Sequence, residues 1–188
     1  MVSGHTAYLA LMLLLALERL VELGISQRNA RRALARGAVE VGQRHFRVMA
    51  AMHALFLVAC PLEVFALGRA FPGALGWACL GGVAVAQGLR YWAIFSLGER
   101  WNVRILVLPN APPVTRGPYR FVRHPNYVAV VLEILLVPLV YGAWVTAAVF
   151  SVANAILLRV RIRAEEAALG PGYAAAFAGR PRFIPGST

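Results

Sequence analysis

The run VAVVLEILLVPLVYGAWVTAAVFSVANAILL, residues 128 to 158, constrains the fold more than any other stretch. It is too long for one ordinary membrane span, which takes about 20 residues. Pro138, Tyr141 and Gly142 interrupt it near its middle. Proline kinks or ends a helix and glycine permits a tight turn, so the run predicts a hairpin of two short helical spans. Further apolar stretches precede it, at about residues 7–25, 48–67 and 74–97. The first has no basic leader or cleavage site, and reads as a retained membrane helix. Composition points the same way. Hydrophobic residues make up 60% of the chain and charged residues 14%, too few polar groups to cover a soluble domain of this size. The expected fold is an all-α integral membrane protein with about five transmembrane helices, the last two a short helical hairpin.

The formal net charge is +11, and every basic residue apart from the histidines is arginine. A basic chain can bind nucleic acid. Here the arginines fall between apolar runs and form no single polar face, so no nucleic-acid partner is expected. They gather in residues 26–47, in 98–127 and in the tail from Arg159. Arginine-rich loops stay on the cytoplasmic side, which places the N-terminus outside and the C-terminus inside, with membrane lipids as the surrounding partners. Residues 26–47 read as a polar loop or a surface-lying helix. Pro109, Pro112, Pro113, Pro118 and Pro125 make regular helix improbable through 98–127.

Polar side chains crowd the mouth of the hairpin, in RGPYRFVRHPNYV, residues 116–128. Arg116, Arg120 and Arg123 could be interface anchors, and Tyr119 and Tyr127 belt residues. Pro125 suits the first turn of a helix. His124 beside Arg123 at that helix start suits an anion such as a carboxylate or phosphate. Downstream, Arg161 and Glu165 are spaced to pair along a solvated helix. The alternative is that Glu165 and Glu166 sit on a lid, bringing a carboxylate to a bound cation or a mobile proton. Glu18 and Glu22 share a helix face. Glu133 lies in an apolar run, as a functional acid or as a packing acid paired with an arginine such as Arg90. His53 lies in the second run.

Other templates fail. The chain has no GxGxxG, no phosphate loop and no nucleophile elbow. His5, His45, His53 and His124 lack zinc spacing, so no metal is expected. Cys60 and Cys79 read as buried, inert thiols. The residues thus describe a cytoplasm-facing polar pocket above a helical bundle. It suits a ligand with an anionic group, and a lipophilic partner arriving from the bilayer.

RGPYRFVRHPNYV, an apolar hairpin, and EEAAL with a downstream tyrosine together resemble the isoprenylcysteine carboxyl methyltransferase family, over roughly residues 90–185. The N-terminal ERLVELGISQRNARRALARGAVEVGQRHF looks like a bacterial branch associated with type III polyketide synthases and the methylation of long-chain alkylpyrones or similar lipids. The resemblance implies S-adenosylmethionine as cofactor and S-adenosylhomocysteine as product. It implies that His124, Pro125 and Tyr127 lie at the cofactor site, that Tyr119 and Arg123 line it, and that the segment of Glu165 and Glu166 closes over it. Residues 1–97 are then N-terminal membrane helices with a basic cytoplasmic loop. Residues 98–188 form the cofactor-binding core of one integrated domain. A carboxylate acceptor is ionised at neutral pH and needs no base. An enol or phenol could use one, and Glu166, Glu133 and His53 are the candidates. A related segment in sterol reductases keeps a nicotinamide-dependent reductase as the competing reading, beside a non-catalytic membrane scaffold.

Overall fold

The computed structural model describes residues 2–184. Its helices are α1 (Val2–Ala35), α2 (Gln43–Ala66), α3 (Ala74–Leu97), α4 (Pro125–Leu139) and α5 (Trp144–Ala176). Three of them, within Phe46–Ala66, Ala74–Arg100 and Trp144–Ala176, are long and apolar enough to cross a membrane. α4 is apolar but shorter, about 22 Å by helical rise. Glu18, Arg19 and Glu22 interrupt the apolar run of α1.

The hairpin expected from Pro138 and Gly142 is present. Pro138 lies in the last turn of α4, and its carbonyl accepts the N–H groups of Tyr141 and Ala143. Gly142 has φ 66°, the left-handed conformation such a turn requires. The carboxylate of Glu63 accepts the N–H groups of Val145 and Thr146 at 3.2 and 2.6 Å. It thereby satisfies orphan donors at the positive end of the α5 dipole. Arg69 closes the group on Glu63 at 2.8 Å.

Three expectations change. The second arm of the hairpin is not short: α5 continues through the charged segment to Ala176, interrupted by non-helical backbone at Gly170. Residues 26–35 are neither loop nor surface-lying helix, because they prolong α1. Ser26 and Asn29 hold that extension in place: the Ser26 hydroxyl donates to Asn102 Oδ1 at 2.9 Å and the Asn29 amide to the Trp101 carbonyl at 2.8 Å. Finally, the two basic segments meet through a short antiparallel pair, β1 (Val39–Val41) with β2 (Ile105–Val107). These contacts join the first two arginine-rich segments at one end of the bundle, and Arg161 of the third reaches the same end through the Val103 carbonyl at 2.6 Å. The rest of 98–124 is irregular apart from single 3-10 turns at Gly98–Arg100 and Gly117–Arg120.

The core lies between α1, α2, α3 and α4 and is flanked by α5, with Tyr8, Phe56, Val64, Val83, Ile134 and Val137 among its buried members. α3 packs against α4, with Gly82 directly against Leu136. Large apolar side chains such as Leu13, Leu17, Val58, Leu62, Val85 and Val152 point outward, as a lipid-facing surface requires.

Candidate active site

The site forms where α4 begins. Pro125 takes the first helical position and His124 caps the helix, so the motif histidine is held at the positive end of the dipole. The anion there is the protein's own. His124 Nε2 lies 3.0 Å from Glu166 Oε1, and Arg182 grips the same carboxylate with bonds of 3.0 and 2.6 Å. That bond is the main reason Arg182 stays protonated even more firmly than an ordinary arginine.

The chain after α5 lies along the motif. The backbone N–H groups of Arg123 and His124 donate to the carbonyls of Pro181 and Arg182 at 3.0 and 3.1 Å. Arg123 Nε donates to the Arg180 carbonyl at 2.6 Å, and Arg180 donates to the Tyr119 carbonyl at 3.0 Å. The terminal strap therefore belongs to the site, although nothing in its composition announces this.

Beneath His124, its ring stacks on Tyr127 with centroids 5.3 Å apart. The Tyr127 hydroxyl donates to Glu165 and accepts from Arg161 Nε at 2.8 Å. Arg161 is the residue sequence reasoning misassigned. It does not pair with Glu165 on a solvated face. It is 5% exposed, and its Nη2 donates to the Val103 carbonyl at 2.6 Å. Its Nη1 is buried without a partner, as is Asn126 Oδ1. Tyr119 is buried nearby, and burial, then the Glu165 charge, pushes its phenol far above the ordinary value.

A cavity of about 900 Å³ runs past these groups. Tyr119, Arg123, His124, Tyr127, Arg161 and Glu165 border it at one end, and Arg19, His53 and Arg90 border it further in. His53 Nδ1 lies 2.8 Å from the Met49 carbonyl. A carbonyl accepts, so Nδ1 carries the hydrogen; in neutral imidazole Nε2 then holds the lone pair.

Glu133 sits in a buried ion network. It accepts from Arg19 and Arg90, each at 3.1 Å. Arg90 also reaches Glu22 at 2.6 and 2.7 Å, and Arg19 reaches Glu22 at 2.8 Å and Glu18 at 3.1 Å. The packing alternative, with Arg90 as partner, is the arrangement present. No group of histidines, cysteines and acids suited to a metal occurs among the described residues.

The model of the isoprenylcysteine carboxyl methyltransferase family matches residues 77–171, from early α3 to just past the break in α5. That segment holds His124, Tyr127, Arg161, Glu165 and Glu166. The chain belongs to the isoprenylcysteine carboxyl methyltransferase family. Two relatives extend the similarity over most of the length. One is the uncharacterized protein YpbQ of Bacillus subtilis (strain 168), 41% identical over 160 residues, covering 85% of this chain and 94% of that protein. The other is an uncharacterized protein of Haemophilus influenzae (strain Rd), 30% identical over 154 residues, covering 80% and 88%. Membership makes the chain a membrane methyltransferase in class. α1 and α2 lie outside the family match, and they supply the inner wall of the cavity with Arg19 and His53.

Proposed function

We propose that this methyltransferase transfers the methyl group of S-adenosylmethionine to an oxygen of a lipophilic small molecule, releasing S-adenosylhomocysteine. The acceptor would be an isoprenylcysteine carboxylate or a long-chain alkylpyrone or resorcinol. One observation carries the reading. Two buried polar atoms, Arg161 Nη1 and Asn126 Oδ1, have no partner and belong to residues on the cavity wall. An unmet buried polar group costs about 1–3 kcal/mol, so bound molecules that meet these atoms are stabilised. The cofactor's amino-acid end has a cation and an anion, and its sugar has hydroxyls. The set of Glu165, Tyr127 and Asn126 fits such groups, Arg161 Nη1 is left for the acceptor, and Tyr119, Tyr127 and His124 offer aromatic faces.

The cofactor supplies an electrophilic methyl group on a sulfonium. The chain supplies the rest. Glu165 attracts the cofactor's ammonium, Tyr119 and Arg123 shape the wall at the helix start, and Pro125, which does not line the cavity, sets where the helix begins. Glu166 acts by holding His124 and Arg182 together, so the strap excludes water. Arg161 Nη1 holds the acceptor's oxygen as an anion and aligns it for in-line attack. A carboxylate reacts as it stands. An enol or phenol delivers its proton to the lone pair of His53, because the carboxylates of Glu133 and Glu166 are already held by arginines.

The arginine-rich end of the bundle faces the cytoplasm in this proposal, and the N-terminus lies outside, in a bacterial inner membrane. The test is transfer of labelled methyl from S-adenosylmethionine to a prenylcysteine analogue and to a long-chain alkylpyrone by the purified protein. Label in either supports the proposal and names the headgroup. Label in neither, with no thermal stabilisation by S-adenosylhomocysteine, would reject it. Stabilisation by NADPH instead would favour the reductase.

A further inference from the structure

α1 and α2 are in contact at one end of their length and apart at the other. At the Arg69 end, Tyr8 and Met12 share a core cluster with Cys60 and Val64, and the His5 ring lies 5.4 Å from Phe65. Toward the active-site end the cavity separates the helices. There α1 presents Ala16, Leu20 and Leu23, and α2 presents Ala50, Ala54 and Leu57. Both triplets have the spacing i, i+4, i+7, which is one face of a helix. Two matching apolar stripes therefore border a slot about 10 Å long by helical rise. Alanine at three of the positions leaves it open.

The slot has a polarity gradient across its width. Arg19 and His53, each three residues after the first alanine of its stripe, also border the cavity. The stripes themselves reach the outside: Leu20 is 64% exposed, and Ala50 and Ala54 are exposed. Within a bilayer that outer edge meets lipid tails, and the inner edge meets the polar cavity of Arg161 and Tyr127. A molecule filling both must be polar at one end and hydrocarbon at the other, and must leave by the side.

We infer that the slot between α1 and α2 holds the first carbons of the acceptor's hydrocarbon tail, and that Ala50 and Ala54 set how bulky that part of the tail can be. The inference rests on the methyl-transfer reading, and it deepens it. The acceptor carries a single tail joined close to its reacting headgroup. Beyond about 10 Å the tail lies in the bilayer, where added carbons gain little because both surroundings are apolar. Selection therefore acts on width near the headgroup and weakly on total length.

The experiment uses the full-length protein in nanodiscs, with S-adenosylhomocysteine present and photoreactive prenylcysteine and alkylpyrone probes, each with a diazirine early in its tail. Cross-links at residues 16–23 and 50–57 are expected; cross-links confined to α3, α4 or α5 would overturn the inference. In parallel, Ala54→Phe and Ala50→Phe should lower kcat/KM for the tailed acceptor about 10-fold relative to a truncated one. Val58→Phe, on the lipid-facing side of α2, should leave that ratio alone. Leu57→Ala, which widens the slot, should shift preference toward bulkier tails, a gain that misfolding cannot imitate. Equal ratios in all variants would overturn the inference while methyl transfer, and with it the functional reading, stood. Failure of the wild type to methylate either acceptor or to be stabilised by S-adenosylhomocysteine would remove both.

Discussion

Two regions of this molecule are built from the same materials and do opposite things with them. The ion network between α1, α3 and α4 and the cluster at the start of α4 both place a buried arginine among glutamates, in the second with the Tyr127 hydroxyl between Arg161 and Glu165. In the network, Arg90 spends its bonds on Glu22 and Glu133, and Arg19 on Glu18, Glu22 and Glu133. At the start of α4, Arg161 uses Nε and Nη2 but leaves buried Nη1 unmet. A buried arginine whose nitrogens are all bonded, as in Arg90, holds helices together, although Glu18 Oε1 in the same network is unmet. One whose bonds are partly made is completed by something that comes and goes.

The comparison can be broken most directly by making one substitution in both regions. Arg90→Met leaves Arg19 alone against Glu18, Glu22 and Glu133 in the bundle. Breaking a buried pair from one side costs about 3–5 kcal/mol, so thermal denaturation should show a large loss of stability, with activity lost as a consequence. Arg161→Met should leave the melting temperature much closer to wild type. It removes a donor aimed at the reacting oxygen, and methyl transfer should fall about 100- to 1,000-fold. If Arg161→Met melts the protein as Arg90→Met does, the contrast is wrong.

His53→Ala sharpens the chemistry. With an enol or phenol acceptor, initial rates below the acceptor's own pKa should drop about 100-fold and recover as pH rises and the acceptor ionises unaided. With a carboxylate acceptor the rate should hardly change. A loss that is uniform across pH and acceptor type would assign His53 a packing role. The smallest effect is expected at the surface. Glu99→Gln releases Arg32 and Arg36, whose pairs at 2.5 and 3.3 Å are exposed. Denaturation should register a change below about 1 kcal/mol.

How far the sequence foretold this structure depended on the range of the forces involved. The turn at Pro138 and Gly142 was legible because both residues act on their own backbone. The bounds of α3 coincide with the apolar run at 74–97. The gathering of arginines at one end followed from their placement between runs. The extension of α1 was hidden, because a charged helix held by Ser26 and Asn29 reads locally like a loop, and its partners lie about 75 residues away. A separation of 34 residues likewise hid the Arg161–Tyr127 bond and favoured the nearer Glu165. The family resemblance brought His124 and the segment of Glu165 and Glu166 to one site, but the bond between His124 and Glu166 had no sequence signal. The ending of the strap on His124 had no local signal, since backbone carbonyls of Pro181 and Arg182 make the contact.

The central claim is that the start of α4, with the segment that folds back on it, is where the methyl donor binds. The most direct measurement is the melting temperature of the wild type and of His124→Ala, each with and without S-adenosylhomocysteine. Arg182 continues to hold Glu166 when the imidazole is gone, so the variant should melt near the wild type by itself. The account predicts a clear upward shift with ligand in the wild type and little or none in the variant. No shift in either protein, or the same shift in both, would contradict it.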